Sequence, residues 1–153
     1  MNYWLMKSEP EEFSIGDLKR VRREQWDGIR NYQVRNMLRD AMKKGDIALF
    51  YHSNAGTQTG VAGVMKIIKE AYPDPTQFDP QSAHPDIRSD PQNPRWLCVD
   101  VQYVRTLPRV VTLAELKAEK RLANLPLVRQ GNRLSVMPIA RAQFDHIIKL
   151  AAQ

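Results

Sequence analysis

The sequence predicts an α+β fold, a small and mostly antiparallel barrel with helices packed around it. About five apolar, β-prone runs and four helical patterns interleave without a steady β-α-β rhythm, which argues against a doubly wound parallel sheet. One of the strand-like runs carries glycines at Gly60 and Gly63, where a bend or bulge would curve the sheet. The chain has 153 residues, the size of one domain, and 42% of them are hydrophobic, enough to bury a core without staples.

The first strand is YWLMK, Tyr3 to Lys7, short and aromatic and closed by the polar SEPEE. Ser14 with Asp17 forms a capping box before a short helix from Ile15 to about Arg20. A longer helix is predicted from Tyr32 to Lys44, with Val34, Leu38, Ala41 and Met42 on its apolar stripe and Gly45 as its stop. Asp46 to Ser53 reads as a buried strand and Gly60 to Ile68 as the next, with a loop between them.

Residues 71–95 hold six of the ten prolines, so an irregular excursion is expected there. A loop that long in a compact domain is usually functional or mobile. Trp96 to Val104 alternates as a strand should. Thr112 with Glu115 opens a helix to about Arg121, Arg133 to Pro138 is a last short strand, and Phe144, Ile147, Ile148 and Ala151 stripe a C-terminal helix.

Charge is unevenly placed. The chain carries a net +6, distributed as +3 over residues 1–45, −3 over 46–104 and +6 over 105–153. If the two basic ends meet in the fold, they form one positive face suited to phosphates. Cys98 is the only cysteine, which excludes an internal disulfide and fits a reducing, cytoplasmic setting. No apolar run is long enough for a membrane span or a signal peptide.

Catalytic motifs are absent. There is no phosphate loop and no dinucleotide fingerprint. His52, His84 and His146 fall in unrelated segments without metal-ligand spacing, so neither metal nor cofactor is implied. His52 and Ser53 are adjacent on a strand and point to opposite faces, which is not triad geometry.

What remains is aromatic residues interleaved with polar ones. WDGIRNYQ places Trp26 and Tyr32 around Arg30 and Asn31 at a helix start, where aromatic faces stack a base and polar groups bond its edge or a phosphate. The same residues also admit a plain reading, with Trp26 in the core, Asn31 as helix cap and Arg30 as a solvated charge. His52 and Ser53 at one strand end, Lys7 and Ser8 at another, and Trp96 beside Pro94 are further candidates of the same kind.

Taken in order, YWLMKSEP, FSIGDL, WDGIRNYQVRN, GDIALFYHSN, AYPDPTQFD, WLCVDV and RLSVMP resemble the successive blocks of the EVE domain over nearly the whole of residues 1–153. The resemblance implies a PUA-like fold, a bent β pseudo-barrel with surrounding helices, similar to YTH domains that hold a methylated adenine. It further implies a reader of modified bases, notably substituted cytosines in DNA, with RNA also proposed.

Carried onto this sequence, the base pocket would comprise Ser8, Trp26, Asn31, Tyr32, His52, Ser53 and Trp96, with Lys7 and Arg30 on phosphates. The expected protein is a non-enzymatic, monomeric nucleic-acid binder that accepts a flipped-out base. Two other readings compete: an enzyme acting on a nucleotide or RNA with His52 as general base and Asp27 or Asp100 as its partner, and an interaction module for a restriction or modification enzyme.

Overall fold

A computed structural model describes residues 1–153. Six strands form one sheet: β1 (Tyr3–Ser8), β2 (Arg23–Trp26), β3 (Ile47–His52), β4 (Gly60–Pro73), β5 (Leu97–Thr112) and β6 (Val136–Ile139). Four helices accompany it: α1 (Ile15–Val21), α2 (Tyr32–Asp40), α3 (Leu113–Ala118) and α4 (Arg141–Ala151). The strand order is β2-β5-β4-β3-β1-β6, with only β1 and β3 parallel. The predicted α+β, PUA-like fold is therefore present as a mixed sheet. It does not close into a barrel, because β2 and β6 remain as edges.

Both faces of the sheet are covered, which explains the continuous apolar runs in β1 and β3. On one face Trp4, Met6 and Phe50 pack with Leu18 of α1 and Val34 and Leu38 of α2. On the other, Leu5, Leu49 and Tyr51 pack with Leu116 of α3, Leu122, Leu125 and Ile147 of α4. Period-2 alternation thus sends neighbouring residues to opposite cores. The buried Asp46 anchors the sheet's rim: its carboxylate accepts from the Trp4 indole N–H at 3.0 Å and from the amides of Asn2 at 3.0 Å and Lys43 at 2.9 Å.

That carboxylate also corrects the length of α2. The helix ends at Asp40 rather than Lys44, since the Lys43 amide turns to Asp46 and the Met42 amide reaches back to Met37 O at 3.0 Å. The expected bulge lies at Ala62, where β4 slips register against both β3 and β5. A Cβ at Gly60 would collide with the Val111 carbonyl, so that position needs glycine, whereas one at Gly63 would have to displace the Ile15 side chain.

Further differences from the expected boundaries have local causes. β4 and β5 run on to Pro73 and Thr112, because repeated register shifts let the paired ribbon bend instead of stopping. α3 stops at Ala118 and resumes as a 3₁₀ turn, Lys120–Leu122. The last strand is Val136–Ile139 rather than Arg133–Pro138. β2 has no apolar alternation in REQW and forms because β5 offers it a ladder from Gln102 to Val99.

Candidate functional site

The sheet positions a cavity of about 640 Å³ where the end of β1, the segment before α1, the end of β2 and the 133–135 turn converge. Such a volume lies within the range of small-molecule and base sites. Its apolar lining is Phe13, Trp26 and Ile29; the remainder is polar, including Lys7, Ser8, Glu12, Glu24, Asp27, Arg30, Ser53, His84, Arg133 and Ser135.

Of the residues singled out from the sequence, Lys7, Ser8, Trp26, Arg30 and Ser53 are brought together on this lining. Ser8 Oγ donates to Phe13 O at 2.6 Å, so towards the cavity it offers lone pairs rather than a proton. Ser53 is tied by its backbone, with its amide donating to Ser8 O at 3.0 Å. Trp26 is buried edge-to-face against Phe50, with ring centroids 5.4 Å apart.

Asn31, Tyr32, His52 and Trp96 lie outside the lining. Asn31 is the N-cap of α2, its side chain accepting from the Val34 amide at 3.0 Å. Tyr32 stacks on Trp96 at 4.7 Å, and Arg35 covers its ring at 4.7 Å. His52 Nε2 accepts from the Ile15 amide at 3.1 Å. Burial lowers the pKa of His52. A neutral imidazole with that lone pair occupied caps α1 and has no free nitrogen there to take a substrate proton. Its suggested partner Asp100 accepts from the Tyr72 hydroxyl at 2.6 Å.

The three tryptophans differ in one decisive respect. The indole N–H of Trp4 donates to Asp46 at 3.0 Å and that of Trp96 to Asp86 at 2.6 Å. The indole N–H of Trp26 has no acceptor within the chain and is not one of its fully buried unpaired atoms, so water reaches it, and the residue borders the cavity.

The proline-rich segment is ordered by buried polar side chains that its composition does not reveal. Gln77 Nε2 donates to Asp74 O at 2.7 Å and Trp96 O at 2.9 Å, while its oxygen accepts from Ser89 Oγ at 2.5 Å and the Trp96 amide at 3.1 Å. The fully buried Asp74 accepts from Gly28 N at 2.8 Å, Arg30 Nη1 at 3.1 Å, and Thr76 N at 2.8 Å. Desolvation pushes its pKa up, but hydrogen bonds from Thr76, Gly28 and Arg30 outweigh that and hold it below the usual carboxylate value.

Arg30 therefore serves as a strut. Its Nη2 donates to Thr76 Oγ1 at 3.1 Å and to His84 O at 2.5 Å, fastening the segment over the cavity rim. Gly28, at φ +82°, lies directly under the His84 ring, where a Cβ would come within 2.7 Å of it.

Sequence reasoning missed the glutamates and considered Asp27 only as a partner for His52. Glu9, Glu12, Glu24 and Asp27 all line the cavity, beside Lys7 and Arg133. They converge from two segments distant in sequence, and only their enrichment around FSIGDL and WDG hinted at them. Lys7 is partly desolvated there, which lowers its pKa. The site is thus a mixed-charge cleft with one indole donor, serine lone pairs and carboxylate acceptors.

Comparison with known proteins agrees with this architecture. An EVE domain model matches residues 2–150. Human thymocyte nuclear protein 1 is 46% identical over 97% of this chain and 73% of its own length. The crystal structure of human THYN1 protein in complex with 5-methylcytosine containing DNA superposes with a TM-score of 0.92, at 45% identity over 100% of this chain and 99% of that one. A Pseudomonas putida protein superposes at 0.93, with 49% identity over 97% of this chain and 99% of that one. A Zygosaccharomyces rouxii YTH domain shares the fold at 16% identity and a TM-score of 0.55, covering 99% of this chain and 85% of that one.

Proposed function

The chain belongs to the EVE domain family, and from that premise we propose that it is a non-enzymatic reader of a modified base, a substituted cytosine in DNA, taken out of its stack into the 640 Å³ cavity. The observation that carries the reading is the unpartnered indole N–H of Trp26 at a cavity otherwise rich in acceptors. Cytosine presents an exocyclic amino donor, which carboxylates accept, and a carbonyl and ring nitrogen that accept from donors. Glu12 or Asp27 suits the first and Trp26 the second; Ser8 and Ser53 offer further lone pairs. That the structurally similar THYN1 protein was crystallised with 5-methylcytosine containing DNA supports the same ligand class here.

Extruding a base costs a few kcal/mol, and stacking on an aromatic side chain returns about 1–3 kcal/mol. The two nearly cancel, so hydrogen bonds and phosphate contacts set the net affinity. One methyl group in an apolar pocket is worth about 1–3 kcal/mol, giving roughly 10- to 200-fold preference for the modified base.

The test is titration against matched oligonucleotides carrying cytosine, 5-methylcytosine or 5-hydroxymethylcytosine, single- and double-stranded, at two salt concentrations. Preference for one modified form that persists at high salt supports the reader. Equal, salt-sensitive binding to all three removes the base from the cavity and leaves only a basic surface.

A further inference from the structure

A second cavity, of about 690 Å³, adjoins the first and shares Lys7 with it. It is walled by Tyr51, by Lys117 of α3 and by the turn 129–132, which runs directly into Arg133 of the first cavity. The pairing of β1 with β6 is what brings these pieces together, joining the basic N-terminal and C-terminal portions of the chain.

The two cavities differ in charge. The first has four carboxylates on its lining; the second has none, only Lys7, Lys117 and Arg129 among its ionised groups. The chain's ion pairs use Arg20, Arg30, Arg39, Arg109, Arg141 and His146, so Lys7, Lys117, Arg129 and Arg133 are left without a carboxylate partner. Tyr51, only 3% exposed, lines the same cavity and carries a hydroxyl. Burial pushes its pKa up to about 12, which keeps it an O–H donor at neutral pH. Lys7 Nζ stands 5.9 Å over the Tyr51 ring. Unpaired cations and a neutral hydroxyl in an acid-free hollow are the donor set of a phosphate site.

We propose that the second cavity is a phosphodiester subsite: a strand whose base enters the first cavity leaves across Lys7 and Arg133 and seats its neighbouring phosphates against Lys117 and Arg129. The strand's phosphates avoid the carboxylates of the first cavity, Glu9, Glu12, Glu24 and Asp27, which would repel them. The inference rests on the base-reader reading only for the point at which the strand enters.

The experiment compares the full chain with its K117A/R129A variant. Both side chains are exposed, so the variant should keep its melting temperature. The probes are 5-methyl-2′-deoxycytidine, which has no phosphate, and single-stranded 12-mers with a central cytosine or 5-methylcytosine. The variant should bind the nucleoside as the wild type does and keep the 12-mer base preference. Its log K against log salt slope should be shallower by about 1.4, so that about sevenfold less affinity is lost between 50 and 200 mM salt. The K117R/R129K pair should restore the slope.

An unchanged slope in K117A/R129A overturns the track and leaves the reader intact. No base preference in the wild type overturns the reader, and the slope still decides the track. Inorganic pyrophosphate binding that is lost in the variant, with 12-mer slope unchanged, would assign the cavity to a small free anion and likewise overturn the proposal.

Discussion

The corner around Trp26 and the corner around Trp96 are built from the same materials, an indole with tyrosine or phenylalanine and arginine nearby, and they do opposite things. At Trp96 the interactions close on themselves: the indole N–H is held by Asp86, one face by Tyr32, and Arg30 lies 5.6 Å from the ring. At Trp26 the ring is packed against Phe50 while its N–H, unpaired within the chain, stays open to water beside a polar cleft. The first corner spends its polar groups on holding the proline-rich segment in place. The second leaves one donor over, open to water, and exchanging that water for a ligand acceptor is worth about 0.5–1.5 kcal/mol.

The largest expected effects sharpen that contrast. Trp26→Ala should abolish discrimination between cytosine and 5-methylcytosine and cost about 3–5 kcal/mol of stability, read by titration and by urea denaturation. Trp26→Phe separates the two, keeping the packing and removing the N–H, so base preference should fall while stability changes little.

Asp74→Ala attacks the strut beneath the rim. It strands Arg30 and the Gly28 amide, and about 3–5 kcal/mol should be lost. The same carboxylate makes an acid-sensitive contribution. Its folded pKa is depressed, so its stabilisation is present above the ordinary value near 4 and fades as pH falls through the folded value. Wild type and Asp74→Asn should therefore converge in stability below about pH 4, and a constant gap down to pH 2 would remove Asp74 as its source.

Trp96→Phe should lower stability modestly through the lost bond to Asp86, read by urea denaturation, with base preference unchanged. A change in preference equal to that of Trp26→Phe would erase the distinction between the two corners. The smallest effect belongs to Tyr32→Ala, where losing an exposed stack on Trp96 should cost about 0.5–1.5 kcal/mol and leave base preference untouched.

Much of the frame was legible in the sequence. Apolar runs announced β1, β3, β4 and β5, and both capping boxes, at Ser14 and Thr112, are present as expected. β2 was not legible, because an edge strand of polar residues exists only by virtue of its neighbour's ladder. Trp26 and Trp96 could not be ranked from sequence, since what distinguishes them is whether an acceptor folds back to the indole. Asp86 sits ten residues from Trp96 in a segment whose prolines suggest only irregularity. Arg30 likewise reads as a phosphate ligand until Asp74, forty-four residues away, is seen to hold it. Local pattern records periodicity; it does not record which polar groups have already found partners.

The place of β1 in the sheet has a consequence for synthesis. It lies between β3 and β6, pairing Tyr3 with Ile47 on one side and with Ile139 on the other. On a ribosome adding about 5–20 residues per second, β1 waits roughly 7–27 s for its second neighbour. Through that interval the apolar edge of Trp4, Leu5 and Met6 stays open to any passing strand. Nascent chains released before β6 emerges should consequently be the species that chaperones retain, and slow folding governed by this long-range pairing should persist when the finished chain is refolded in vitro.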